Sequence, residues 1–281
     1  MIHSRTNDGG TSCLMVTQPH REALMRRSVE CFRRQTHAPR ELVVVHSGDA
    51  GFHRRVLDMA HVLDDARMTV VAADSSRRLG ALRNLAVAHA RCEFVCQWDD
   101  DDLHHPEYLA RQHTNLLASG ADFSFLTDQW HYYERRGFVF WDDWSPSAPR
   151  WDLIEGTLYG RRACLPDYPD LAIGEDTPVV REIVKAGRRI ARLADSGWLM
   201  MYTWHGANAW PFEHHLAISR LRRLSRAMLA ERLAVIESAL AAYPLEEVQL
   251  RFPHEAGWFE FRRAENGWRL TESRREGVLA G

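Results

Sequence analysis

The sequence predicts an α/β fold with a mostly parallel central sheet and flanking helices, followed by a C-terminal helix and a β-hairpin. Three observations carry this. Through the first half, short apolar runs alternate with amphipathic segments at the spacing of βαβ units. Those runs are apolar at nearly every position, as strands covered on both faces are. Crossovers between parallel strands are right-handed, so the outcome is a doubly wound layered sheet.

The elements follow in order. Residues 12–17 (SCLMVT) read as a strand, and 21–35 as a helix with Leu24, Val29 and Phe32 roughly on one side. Residues 41–46 (ELVVVH) form a second strand, 52–63 a helix and 67–72 a third strand. Residues 79–91 (LGALRNLAVAHAR) form a strong helix and 93–98 (EFVCQW) a fourth strand. A helix over 106–119 starts with Pro106, a favoured first-turn residue. A strand over 121–127 and a hairpin over 129–141, turning near Arg136-Gly137, come next, then a loop over Asp142–Trp151. Residues 156–164 read as strand, 176–187 as helix, and 188–193 and 198–204 as short β segments. Residues 212–241 read as one long amphipathic helix with Leu216, Leu221, Leu224, Met228, Leu229, Leu233, Val235 and Ile236 at near-helical spacing. Its apolar side packs on the core or on a second subunit, so a homodimer through this helix is one expectation. In the tail, GWFEFRR and GWRLTE flank Asn266-Gly267 as a hairpin. The expected organisation is one domain over 1–211 and an appendage over 212–281.

Composition narrows the function. The chain has 281 residues and a net charge of -2, which does not suit duplex nucleic acid, so no stable nucleic-acid partner is expected. No apolar run approaches the roughly 20 residues of a membrane helix, and the polar start MIHSRTNDGG lacks a signal core. A cytoplasmic protein without a transmembrane segment is the expectation. Five cysteines, an odd number without a CxxC pair, read as core thiols rather than a zinc site or disulfide framework.

In doubly wound sheets ligands bind beyond the carboxyl ends of the strands, here Thr17–His20, His46–Asp49 and Asp99–His105. The most informative stretch is WDDDDLHHP, Trp98–Pro106. Four adjacent carboxylates at the end of a buried strand repel one another unless a counter-charge is present. A hard divalent cation, Mg²⁺ or Mn²⁺, suits such oxygens. A solvated acidic turn would carry the same letters. Gly174-Glu175-Asp176 precedes a helix, where Asp serves as a cap or as a general base for an acceptor hydroxyl. His205, in WHGAN after a β run, could complete a metal site or be an ordinary surface histidine. Arg83 could meet a diphosphate in a bidentate way. Aromatic residues cluster between these motifs, including Trp130, Trp141, Trp144 and Trp151, as sugar-stacking platforms or as core.

In this order, the pieces resemble glycosyltransferase family 2 on the GT-A fold over roughly residues 11–210. The matching segments are Met15–Gln18, Gln35-Thr36, Glu41–Val45, Gly80–Asn84, the Asp99–Asp102 run with Pro106, Gly174–Asp176, Lys185–Gly187 and Tyr202–Asn208. The resemblance implies a metal-dependent, inverting transfer of sugar from a nucleoside-diphosphate sugar, with a UDP-sugar favoured over a GDP-sugar. It implies Asp101 and His205 as metal ligands and Asp176 as catalytic base. Donor contacts would come from Thr17, His46, Ser47, Arg83, Asp99 and Asp100, and acceptor contacts from Glu175, Trp130 and Trp204. The acceptor would be a small molecule, a glycan or a peptide. One departure leaves the donor's base open: His46-Ser47-Gly48-Asp49 replaces the family's usual Asp-Asp-Gly-Ser turn. A nucleotidyltransferase would need a Gly-rich phosphate loop after the first strand, where this chain has Thr17–Arg21 without glycine. A non-catalytic sugar- or nucleotide-binding module is the other alternative, against which the complete acidic set argues.

Overall fold

The computed structural model describes residues 7–62, 67–147, 151–265 and 267–274. The apolar runs of the first half become strands of one seven-stranded sheet. In chain order its parallel heart is β1 (Asn7–Thr17), β2 (Arg40–His46), β3 (Met68–Ala72) and β4 (Cys92–Gln97). The helices α1 (Glu22–Arg33), α2 (Ala50–Val62) and α3 (Leu79–His89) make the crossovers. In β2 every residue after Arg40 is buried, which is why no polar alternation shows in its sequence.

Beyond β4 the chain adds β5 (Leu103–His104), α4 (Tyr108–Ala118), β6 (Phe123–Leu126), β7 (Asp128–Tyr133), β8 (Phe138–Asp143) and β9 (Tyr159–Arg161). It continues with α5 (Asp176–Lys185), β10 (Ile190–Leu193) and β11 (Met200–Trp204). The first sheet runs β10-β6-β9-β4-β1-β2-β3. Only β9 is antiparallel to its neighbours, β4 and β6. The expected hairpin near Arg136-Gly137 is β7 and β8, closed at Gly137, whose φ of 63° is the left-handed turn position glycine adopts freely.

The C-terminal third departs from expectation. The single helix over 212–241 is three: α6 (Phe212–Arg222), α7 (Arg226–Ala230) and α8 (Leu233–Ala242). No Gly or Pro marks the breaks. Arg223 turns extended and bridges to Asp142 on β8, the Leu224 N–H donates to the Trp141 carbonyl at 2.9 Å, and Ser225 caps α7. Backbone groups on β8 thus capture the chain where helix propensity alone would continue. Of the apolar side chains expected to pack on the core or on a second subunit, Leu224, Leu229 and Ile236 are buried in this chain's own core, while Leu221 and Met228 are exposed.

The tail hairpin, β13 (Gly257–Ala264) and β14 (Gly267–Arg274), is as expected, with Asn266 outside the described residues. It does not stand alone. An unexpected strand, β12 (Gln249–His254), pairs with both β13 and β8. The result is a second seven-stranded sheet, β14-β13-β12-β8-β7-β11-β5. One apolar cluster runs from Cys13 and Phe32 under the first sheet to Phe252 and Phe261 in the second, so residues after 211 complete the main core. Four of the five cysteines are buried, Cys164 is half-buried, and all are free. Among the described residues no helix is long and apolar enough to cross a membrane.

Candidate active site

The short strand β5 positions the acidic run. Trp98 is fully buried, and its ring stacks on His104 with centroids 3.9 Å apart. This anchors both ends of the Asp99–Asp102 loop. β5 pairs with β11 through Leu103–Met201 and His104–Met200, so the loop lies beside the end of a strand almost 100 residues later. The Thr203 N–H donates to Asp102 Oδ1 at 2.8 Å and ties the two together. Asn208 shapes the turn after β11, accepting from the His205 N–H at 2.9 Å and donating to the Thr203 carbonyl at 2.8 Å. His205 Nε2 thereby comes 3.2 Å from Asp101 Oδ2.

Crowded carboxylates raise one another's pKa unless something opposes them. Burial and the charge of Asp101 push Asp100 up to about 8, against the pull of Arg21. Burial and the charges of Asp101 and Asp99 hold Asp102 well above the usual range. Burial acts upward on Asp101 too, but the His205 hydrogen bond and Arg21 outweigh it and keep this carboxylate below its ordinary value. Arg21, from the turn after β1, reaches both Asp100 and Asp101 with one guanidinium nitrogen.

A second cation organises the other side. Arg83 on α3 is buried, with Nη2 2.8 Å from Asp99 Oδ1 and Nε donating to Glu175 Oε1. Asp176, the first residue of α5, follows Glu175. Burial lifts the Asp176 carboxyl above its ordinary pKa, the charges of Glu175 and Asp99 add to this, and Arg83 opposes it. These groups line one cavity of about 370 Å³ together with Arg21, Glu155, Trp144, Tyr202 and Trp210. Acidic loop, imidazole-bearing turn, buried arginine and α5 carboxylate therefore converge on one space at the carboxyl end of the parallel strands.

Comparison with known proteins gives a family and a set of similar folds. The chain matches Glycosyl transferase family 2 over residues 13–158, just over half its length. It belongs to that family. This chain is a glycosyltransferase on the GT-A fold. It is similar to S. aureus TarS 1–349 in complex with UDP-GlcNAc, at 17% identity and a TM-score of 0.56, over 85% of this chain and 68% of that one. It is similar to the same degree to the mannosyltransferase PcManGT from Pyrobaculum calidifontis in complex with GDP-Man and Mn²⁺, at 17% identity and a TM-score of 0.57, over 84% and 70%. Comparison with curated protein sequences gives no match.

For this glycosyltransferase the expected residues divide. Asp99, Asp100, Asp101, Arg83, Glu175 and Asp176 line the cavity, with His205 touching Asp101 from the adjoining turn. Glu175 pairs with Arg83. Thr17, His46 and Ser47 do not line the cavity, although the Thr17 side chain acts on Asp100 from behind its wall. Thr17 and His46 are buried at the ends of β1 and β2, and Ser47 donates to Gln18. His46 instead meets His53 Nδ1 at 2.9 Å, and burial with that neighbour lowers its pKa. Side chains alternate along a strand, and Val16 takes the cavity-facing place next to Thr17. Trp130 is a correction: it is fully buried, packed edge-on against Phe252 and Trp141. Trp204 packs on Phe212 and Tyr133 and is not part of the cavity lining either. Trp144, Tyr202 and Trp210 supply the rings. Arg21 and Glu155 escaped sequence reading. A basic residue directly after the first strand's turn was the available signal for Arg21; Glu155 had none.

Asp101 and His205 carry donor atoms of the kinds divalent cations take. Adjacent ligands of an octahedral ion with bonds of about 2.1 Å lie about 3 Å apart, which the Asp101–His205 separation of 3.2 Å matches. Among the described residues no cluster of three or more His, Cys, Asp or Glu side chains is arranged to hold a metal. The chain offers two donors, consistent with an ion that shares its remaining positions with phosphate and water.

Proposed function

We propose that this glycosyltransferase moves a sugar from a nucleoside-diphosphate sugar to an acceptor hydroxyl with inversion, using Mn²⁺ or Mg²⁺ held by Asp101 and His205. The observation that carries the reading is the 3.2 Å approach of His205 Nε2 to Asp101 Oδ2 in the fold that places Asp176 on the same cavity. Bound there, the cation would neutralise the diphosphate and help it leave. Arg21 releases Asp100 and Asp101 to make room. Arg83 stays in place, holding Asp99 and Glu175 toward the donor side. Asp176 accepts the acceptor's proton as its oxygen attacks the anomeric carbon. A raised pKa suits this task, because a base works best when its pKa lies near the working pH. UDP-sugar is the favoured donor and GDP-sugar the second. The complexes of TarS with UDP-GlcNAc and of PcManGT with GDP-Man and Mn²⁺ support that range. The acceptor is a small molecule, a glycan or a peptide.

The test is nucleotide release from UDP- and GDP-sugars with and without Mn²⁺, in the native chain and in Asp176→Asn. Loss of general-base help typically costs ~10²–10⁴-fold in turnover, with donor affinity nearly retained. The acid limb of the native pH profile should lie above the ordinary carboxylate range, since the base must be deprotonated and its pKa is raised. Unchanged turnover in Asp176→Asn removes it from the base role. Full activity in excess chelator removes the cation.

A further inference from the structure

Arg21 ends the short helical turn after β1 and lines the same cavity as the Asp99–Asp102 run. Its Nη2 reaches Asp101 Oδ2 and lies 3.2 Å from Asp100 Oδ1. Asp101 Oδ2 is also the oxygen that His205 Nε2 approaches at 3.2 Å. Arg21 and a cation held by Asp101 and His205 would therefore claim one oxygen atom. Like charges that close repel, and the repulsion is strong where water is largely excluded.

A second, independent observation is that this guanidinium is only partly served where it stands. Arg21 Nε is buried and has no hydrogen-bond partner among the described residues. A planar guanidinium is best satisfied by a partner that takes two of its N–H groups at once, yet Arg21 meets both carboxylates through one nitrogen. Arg83 is the contrast within the same cavity. It gives Nε to Glu175 and Nη2 to Asp99, and its side chain is 8% exposed against 23% for Arg21. Arg83 is fixed from two sides, whereas Arg21 keeps an unused donor and room to turn. A diphosphate offers the paired acceptors that Arg21 lacks.

We propose that Arg21 exchanges partners within the cavity, leaving Asp101 for the donor's diphosphate when a cation takes that carboxylate, so that cation and nucleoside diphosphate strengthen each other's binding through this side chain. This rests on the transfer reading above and adds how the site is filled. A cation binding alone must displace Arg21 and leave it beside a like charge. A diphosphate binding alone draws Arg21 away and meets the acidic run without it. When both bind, each charge has its partner. Such coupling is reciprocal and typically amounts to about 5–150-fold. An arginine fixed in one position would repel the cation equally with and without nucleotide and would add nothing to the coupling.

The experiment titrates Mn²⁺ into the full chain, followed by the paramagnetic resonance of free Mn²⁺, alone and with saturating UDP or GDP. Association of Mn²⁺ with each nucleotide in buffer is measured separately and subtracted. No sugar is present, so occupancy is read and not turnover. In the native chain the nucleotide should tighten Mn²⁺ binding by about tenfold or more. In Arg21→Met, Mn²⁺ alone should bind about tenfold tighter than in the native chain, and the effect of nucleotide should shrink severalfold. Arg21→Lys, which keeps a movable charge, should retain most of the coupling. Native Mn²⁺ binding that is as tight without nucleotide as with it overturns the proposal before any variant is made. An unchanged coupling factor in Arg21→Met overturns it too, even where both affinities move, because a fixed charge gives that result. Failure of Mn²⁺ to bind with either nucleotide removes the cation reading and the exchange together, whereas coupling that is independent of Arg21 removes only the exchange.

Discussion

Replacing Gly80 by Ala sets two effects of opposite sign against each other. Gly80 is the second residue of α3, and an Ala there gains about 0.8–1.0 kcal/mol of helix propensity. The Cβ, however, would lie 1.8 Å from the Pro169 carbonyl oxygen and 2.9 Å from its carbon. An ordinary carbon–oxygen contact is about 3.3 Å, so helix and loop must part by roughly 1.5 Å. Three hydrogen bonds hold them together. The Gly80 N–H donates to the Leu171 carbonyl at 3.0 Å, Asn84 Nδ2 to the Tyr168 carbonyl at 2.8 Å, and the Tyr168 N–H to Asn84 Oδ1 at 2.8 Å. Each contributes about 0.5–1.5 kcal/mol, and overpacking adds about 1–3 kcal/mol. The clash wins: with the three bonds lost, the net loss after subtracting the propensity gain is about 1.5–6.5 kcal/mol. Arg83 precedes Asn84 on this helix, so the same displacement pulls it from Asp99 and Glu175, and donor turnover should fall with stability. The measurement is the urea unfolding midpoint of Gly80→Ala with its donor turnover. A variant as stable as the native chain would refute the close packing of α3 on the 168–171 loop.

Other expectations follow from the same geometry. Arg83→Met strands two carboxylates beside it, and removing one partner of a buried pair costs about 3–5 kcal/mol. In Arg83→Met/Glu175→Leu much of that loss should return, and additive losses in the urea double-mutant cycle would contradict the pairing. His104 is buried with no partner on either ring nitrogen, and burial pushes its pKa down to about 3. Its folded value lies below the unfolded one, near 6.5, so stability is complete above that pH and is lost as pH falls. The loss amounts to about 2–3 kcal/mol by pH 4.5. His104→Phe should flatten urea stability between pH 6.5 and 4.5 relative to the native chain; the same slope in both would exclude His104 as the source.

The parallel heart of the fold was legible because burial on both faces writes a local signal: every residue of β2 after Arg40 is buried, and Leu42–Val45 is an unbroken apolar run within it. The acidic loop was legible for a related reason, since four carboxylates after such a strand are tolerated together only beside a counter-charge. The second sheet left no comparable mark. β5 is two residues long and exists through pairing with β11, and β12 is held by β8 and β13. Aromatic residues carried the weakest signal. Trp130 and Trp144 read alike in sequence, yet one lies in the core against Phe252 and the other lines the cavity.

By itself, then, the sequence determined the family, the order of strands and helices through β4, and the identity of the acidic, imidazole and α5 carboxylate groups, because each is encoded within a few consecutive residues. The tertiary structure alone decided that His205 meets Asp101, that Arg21 and Glu155 join the cavity while Thr17, His46 and Trp130 do not, and that residues 212–241 break into three helices. Those outcomes depend on hydrogen bonds and packing between segments tens to a hundred residues apart, and no local pattern records which distant partner a side chain will face.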